Sequence, residues 1–126
     1  MQVKKLLDSI GHDVDTVSPG ATVYDALALM AKKEIGALVV VENGKMVGIL
    51  SERDYARKVI LKGKSSKETL VRDIMTSDVI HASPDQKVGK CLSLMTKKRI
   101  RHMPVLEEDR LVGLLIIEEI KAPNFK

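Results

Sequence analysis

Hydrophobic and polar positions recur along the chain with two different periods, which divide it into helices and strands. Val23, Ala26, Leu27 and Met30 follow the i, i+3, i+4, i+7 spacing of an amphipathic helix. The apolar run 38–41 is short and rich in β-branched residues, which is typical of a buried strand. The pattern therefore predicts a helix followed by a strand in the first half of the chain.

Polar residues with turn and capping preferences mark the ends of these elements. Thr22 stands three residues before Asp25 in the spacing of a capping box, just where the helix begins. Asn43-Gly44 predicts a tight hairpin turn, because both central positions of such a turn require positive φ. Residues 46–50 then form the returning strand of the hairpin.

Ser51 and Asp54 repeat the capping-box spacing and open a second helix after the hairpin. A short strand near residues 14–17 precedes the first helix. The predicted unit is therefore strand–helix–strand–strand–helix.

This unit occurs twice. Without a gap, residues 14–55 align with residues 79–120 at an offset of 65, with 15 identities in 42 positions. Such self-similarity is the mark of a duplicated supersecondary unit. We predict a first repeat at about 10–62, a linker at 63–73 and a second repeat at about 74–122.

Composition is that of one globular domain: 126 residues, of which 44% are hydrophobic and 30% charged. Aromatic residues make up only 2%, which argues against the stacking surfaces that bind single-stranded nucleic acid. A net charge of +4 favours small anionic ligands such as phosphates. Acidic residues are interleaved with the basic ones, so a nucleic-acid-binding surface is not favoured.

Motifs of common enzymes are missing from the sequence. It contains neither a Gly-x-Gly-x-x-Gly nor a Gly-x4-Gly-Lys-Ser/Thr phosphate loop, and its three histidines lack metal-ligand spacing. The single cysteine, Cys91, excludes an internal disulfide and falls on the apolar face of the second repeat's helix. We predict a buried, unreactive thiol, no catalytic residue, no metal site and no enzymatic activity.

No segment resembles a membrane span or a leader. The longest apolar run, 111–117, is far shorter than the ~20 residues that cross a bilayer. The N-terminus turns polar too early for a signal peptide. We expect a cytoplasmic protein that does not associate with membranes.

The duplicated unit resembles the CBS-domain pair, or Bateman module, over about residues 3–122. Within that family it is similar to short stand-alone bacterial proteins. The residues that carry the resemblance are Ala26-Leu27-x-Leu29-Met30, Gly36-Ala37-Leu38-Val39-Val40, Val47-Gly48-Ile49-Leu50-Ser51-Glu52-Arg53-Asp54, Ile74-Met75-Thr76 and Arg101-His102-Met103-Pro104-Val105.

The resemblance implies an α/β (α+β) fold made of a tandem pair of β-α-β-β-α repeats packed about a pseudo-two-fold axis. It also implies binding of adenosine-containing ligands, such as AMP, ADP, ATP, NAD or S-adenosylmethionine, in the cleft between repeats. Proteins of this kind commonly form homodimers. No cofactor is required, and a protein target is a further expected partner.

The Ser51–Asp54 motif has two interpretations. As a capping box they only stabilise the start of a helix. In a ligand site, the same carboxylate accepts hydrogen bonds from a ribose diol, while Ser51 and Arg53 hold phosphate oxygens. The resemblance favours the second reading and implies a first pocket formed by Gly36, Ala37, Leu38, Ser51, Arg53, Asp54, Met75, Thr76, Val79 and Ile80. Plain core packing is the alternative for the apolar members, and it is a strong one for Val79.

A second, weaker pocket departs from the family pattern. Ile116 stands where the first repeat has Ser51, and Glu118 stands where it has Arg53. The implied residues of this pocket are Val14, Thr16, Arg101, His102, Met103, Pro104 and Glu119. A solvated basic edge that follows Lys97-Lys98-Arg99 accounts equally well for Arg101 and His102.

The sequence therefore predicts a non-catalytic module that senses energy or redox state through a ligand-dependent change in repeat arrangement. The alternative is a protein-interaction adaptor with vestigial pockets, which the departures of the second pocket favour. Pro123 is expected to stop the last helix early and to alter the dimer surface.

Overall fold

The computed structural model describes residues 1–121, which contain both helices and strands, as the predicted α/β class requires. They group into two compact units. The first unit is residues 15–79, and the second combines residues 1–14 with the described residues from 80 onward. Pro123 lies outside the described residues.

The first unit contains a three-stranded sheet with the order β1-β2-β3. β1 (Thr16–Val17) runs parallel to β2 (Ala37–Glu42), and β3 (Lys45–Ser51) runs antiparallel to β2. Between β1 and β2 lies the helix α2 (Val23–Lys33), and the helix α1 (Val3–Ile10) precedes β1 in the chain. The hairpin turn has the predicted positive φ at both central residues, 54° at Asn43 and 79° at Gly44.

A short helix, α3 (Glu52–Tyr55), follows β3 directly and continues as a π-helical turn, Ala56–Ile60. The predicted second helix of the repeat is thus present, but it changes its hydrogen-bonding pattern after one turn. A further short helix, α4 (Val71–Ile74), lies in the stretch that leads to the second repeat.

The second unit repeats the same plan. It contains α5 (Val88–Lys98), the antiparallel pair β4 (His102–Glu107) and β5 (Arg110–Ile116), and α6 (Ile117–Ile120). Ala82 makes a parallel bridge to Val105, the counterpart of the pairing between Val17 and Val40 in the first unit. The hairpin turn keeps its positive φ with Glu108 and Asp109 in place of Asn-Gly.

The short helix before each repeat belongs to the unit of the other repeat. Val3, Leu6 and Leu7 of α1 are fully buried in the core of the second unit. Val71 and Ile74 of α4 are buried in the core of the first unit. The region expected to act as a linker therefore supplies core residues.

Each unit has its own aliphatic core beneath its helix and sheet. In the first unit the core is formed by Val23, Ala26, Met30, Leu38, Val40, Leu50, Val59, Val71 and Ile74. Cys91 is buried in the core of the second unit, as predicted, and this burial raises the pKa of its thiol. A thiol in that setting is inert.

Candidate ligand site around Asp54

The junction between β3 and α3 is closed by a reciprocal capping box. The Ser51 hydroxyl accepts a hydrogen bond from the backbone N–H of Asp54 at 3.2 Å. In return, Oδ2 of Asp54 accepts bonds from the backbone N–H of Ser51 at 3.0 Å and from its hydroxyl at 3.1 Å. The capping-box reading of these residues is therefore confirmed, and it fixes the carboxylate at the start of the helix.

The other carboxylate oxygen of Asp54 binds groups from outside the cap. Thr76 donates its hydroxyl hydrogen to Oδ1 at 3.2 Å, and the Lys58 ammonium lies 3.1 Å from the same oxygen. Lys58 also donates to the backbone carbonyl of Ile74 at 2.9 Å. The Asp54 side chain is only 12% exposed, so these contacts compensate a largely buried charge.

Thr76 reaches Asp54 because its backbone extends the sheet. Thr76 and Ile49 exchange two backbone hydrogen bonds of 2.9 Å, which place residue 76 on the outer edge of β3. Gly48 permits this approach, since a Cβ atom there would stand 2.7 Å from Sδ of Met75 and 2.9 Å from the Thr76 carbonyl oxygen. A glycine is thus required beneath the segment that carries the Thr76 hydroxyl.

The structure adds Lys58 to the residues that the sequence had indicated. Lys58 follows Asp54 by four positions, a spacing at which an acid and a base meet on one helix face. The spacing of Asp54 and Lys58 could be read from the sequence. The bond from Lys58 to the Ile74 carbonyl could not, because it depends on where α4 packs.

Among the predicted residues of the first pocket, those at the start of β2 are mostly inaccessible. The Gly36 carbonyl accepts from the backbone N–H of Glu52 at 3.0 Å, which joins the start of β2 to α3. Ala37 and Leu38 are buried, and Leu38 packs within the core cluster of the first unit. Gly36 thus holds the start of α3 in place through its backbone. The Leu38 side chain has no solvent-exposed surface with which to contact a ligand.

The remaining predicted residues of the first pocket differ in exposure. Arg53 is exposed on α3, next to Asp54 in the chain. Met75 and Val79 are half-buried, and Ile80 packs against the core of the second unit. Within the first unit, the structure therefore brings together Ser51, Asp54 and Thr76.

The matching position in the second repeat is built differently. Ile116 precedes α6 without a side-chain cap among the described residues, so Glu119 is not held as Asp54 is. The Arg101 guanidinium pairs with the Glu118 carboxylate, and both side chains are exposed. Arg101, an implied residue of the second pocket, therefore already has an anionic partner.

Other predicted residues of the second pocket offer little charge. Burial lowers the pKa of His102, and the nearby Arg101 lowers it further, so the imidazole is neutral at pH 7. Met103 and Pro104 are buried in β4. Val14 is half-buried, whereas Thr16 is exposed and belongs to the first unit.

Two kinds of feature are absent from residues 1–121. No group of three or more His, Cys, Asp or Glu side chains in this part of the chain could hold a metal ion. No helix in the same range is both long and apolar enough to cross a bilayer.

Comparison with protein families identifies the repeats. The family model of the CBS domain matches the chain twice, at residues 3–61 and 71–122. The chain is 45% identical over 104 residues to the CBS domain-containing protein CBSX3, mitochondrial, of Arabidopsis thaliana. That alignment covers 79% of this chain and 50% of the relative, so the chain spans about half the length of that protein.

Solved structures of similar proteins have the same fold. A protein with CBS domains from Burkholderia ambifaria MC40-6 is 45% identical and superposes with a TM-score of 0.90, over 95% of this chain and 90% of that one. A hexameric CBS-CP12 protein from bloom-forming cyanobacteria is 28% identical and superposes with a TM-score of 0.84, over 98% and 70% of the two chains.

Proposed function

Because the chain belongs to the CBS-domain family, we propose that it is a non-catalytic regulatory module that binds an adenosine-containing ligand at Asp54. The observation that carries this proposal is the buried Asp54 carboxylate, flanked by the hydroxyls of Ser51 and Thr76. A carboxylate held in one orientation accepts two hydrogen bonds from the vicinal hydroxyls of a ribose. The Arg53 guanidinium, next in the chain, is suited to a phosphate oxygen.

The two repeats are proposed to differ in affinity. Ser51 and Asp54 form a preorganised acceptor in the first unit. Their counterparts Ile116 and Glu119 do not form a capping box, and Arg101 is already paired with Glu118. We expect the Asp54 site to bind first.

Isothermal titration calorimetry with AMP, ATP, NAD and S-adenosylmethionine tests the proposal and ranks the ligands. Asp54→Asn keeps an oxygen acceptor for the cap but removes the charge, and we expect it to weaken AMP binding by about 5- to 150-fold. The matched control is Glu119→Gln, at the equivalent position of the second repeat, which should leave the tighter event unchanged.

One calorimetric result would contradict the nucleotide proposal. If no adenosine-containing ligand releases heat or shifts the melting temperature, the nucleotide proposal fails. The protein would then be examined as an adaptor, by capturing partners with the wild type and with Asp54→Asn.

We propose that the protein is a cytoplasmic homodimer. Ligand binding would change the arrangement of its repeats, and this change would be the regulatory signal. A depression of about 340 Å³ beside α2, lined by Leu27, Met30, Ala31 and Ile35 together with Glu34, Gly36 and Glu52, is the surface at which we expect the second copy to pack. Sedimentation equilibrium and small-angle scattering, each with and without AMP, test the dimer and the rearrangement. A monomer, or identical scattering curves at saturating AMP, would contradict it.

A further inference from the structure

The Asp54 carboxylate has no unused acceptor capacity. A carboxylate has about four lone-pair positions. In the first unit four donors approach it: the N–H and hydroxyl of Ser51 at Oδ2, and the Thr76 hydroxyl and Lys58 ammonium at Oδ1. A ligand that brings two hydroxyl donors must therefore displace two of these four.

The two donors on Oδ1 are the ones able to leave. Both donors on Oδ2 belong to Ser51, whose backbone is in β3 and whose hydroxyl also accepts from Asp54. By contrast, Thr76 is exposed and the Lys58 side chain is 43% exposed, so water replaces their lost bonds readily. Lys58 also retains the carbonyl of Ile74 as a partner.

These relations lead to an inference that rests on the proposed function and extends it. We propose that Lys58 is a specificity-determining residue of the Asp54 site, acting as an internal competitor for ligands that bring a vicinal diol. A ligand with a single hydroxyl exchanges with the Thr76 hydroxyl and leaves the ion pair in place. A ligand with two adjacent hydroxyls must also break the Lys58–Asp54 pair.

Removal of the Lys58 charge should therefore affect one of two closely related ligands and not the other. Lys58→Met keeps the aliphatic stem but frees one acceptor position on Oδ1. We expect it to tighten binding of adenosine about two- to fivefold, the range that a partly exposed ion pair contributes. Binding of 2′-deoxyadenosine, which has a single ribose hydroxyl at this position, should be unchanged.

The experiment is calorimetric titration of both nucleosides into the wild type, Lys58→Met, Lys58→Gln and Lys58→Arg. Lys58→Gln is a second neutral variant in case Lys58→Met fails to fold, and Lys58→Arg should restore wild-type behaviour because it keeps the charge. Lys62→Met is the matched control, since Lys62 is exposed on the following turn. It should change neither affinity.

The outcomes separate this inference from the proposed function. Tighter adenosine binding with unchanged 2′-deoxyadenosine binding supports Lys58 as the competitor. If both affinities stay constant or move together in the neutral variants, while Asp54→Asn still weakens AMP binding, Lys58 is not a competitor and the nucleotide function stands. If the wild type and every Lys58 variant bind neither adenosine nor AMP, both proposals fall.

Discussion

The hydroxyl of Thr76 donates to Oδ1 of Asp54 across 3.2 Å, although the two residues stand 22 positions apart in the chain. The bond joins the segment after α4 to the start of α3, within the first unit. It makes the candidate site depend on a contact between two stretches that are separated by the whole π-helical turn and α4.

Replacement of Thr76 by Val should therefore destabilise the first unit. The variant keeps the side-chain shape but removes a donor to a largely buried carboxylate, so we expect a loss of about 1 kcal/mol in the free energy of unfolding. Urea denaturation followed by circular dichroism measures the change. Thr16→Val, at an exposed position of β1, is the control and should stay within about 0.5 kcal/mol of the wild type.

Protonation of His12 should stabilise the second unit. Its Nε2 lies 2.8 Å from Oδ1 of Asp8 and its Nδ1 lies 3.0 Å from the carbonyl oxygen of Val112. Only the imidazolium donates to both acceptors, and the bond to Asp8 is the main reason why the pKa of His12 is raised above 6.5. This contribution is complete below about pH 6.5 and is lost as the pH rises through the higher folded-state value.

Comparison of the wild type with His12→Asn at several pH values tests this sign. The melting-temperature advantage of the wild type should be larger at pH 5.5 than at pH 8.5. Because both proteins contain His102, whose lowered pKa acts in the opposite direction, its effect cancels in the difference. An advantage that grows toward pH 8.5 would contradict the assignment. Asp8→Asn should remove most of the pH dependence.

Gly48 and Gly89 should respond in opposite directions to substitution by Ala. A Cβ at Gly48 would stand 2.7 Å from Sδ of Met75 and 2.9 Å from a backbone oxygen, so we expect a loss of about 1–3 kcal/mol. A Cβ at Gly89 meets nothing within 4 Å, and the residue lies in α5. Gly89→Ala should therefore add about 0.5–1 kcal/mol by helix propensity. Thermal and urea unfolding of both variants measures whether each substitution lowers or raises the free energy of unfolding.

Much of each repeat could be predicted because its signals are local. The apolar stripe of α2, the positive-φ turn at Asn43-Gly44 and the capping box at Ser51 and Asp54 all depend on residues within a few positions of one another. The 65-residue duplication extended the same assignments to the second repeat. These features agree with the structure because helix periodicity, turn geometry and capping are properties of short segments.

The site was predicted less completely than the fold. The sequence indicated Thr76 as a neighbour of Ser51 and Asp54 only through resemblance to a family. For Arg101 the sequence left a ligand pocket and a solvated basic edge as alternatives, and the structure pairs its exposed side chain with Glu118. Leu38, expected at a ligand surface, is part of the core. Whether a side chain faces a ligand, an ion-pair partner or the core is not encoded in its immediate neighbours.

By itself, the sequence determined the order of helices and strands within each repeat, the duplication, and the cap that orients Asp54. The tertiary structure alone decided that α4 packs in the first unit and α1 in the second. It also decided that Thr76 and the Lys58–Ile74 bond converge on Asp54. The physical reason is distance along the chain. Contacts across four residues follow from helix geometry, whereas contacts across 16 or 22 residues exist only once apolar burial has folded the intervening segment back onto the sheet.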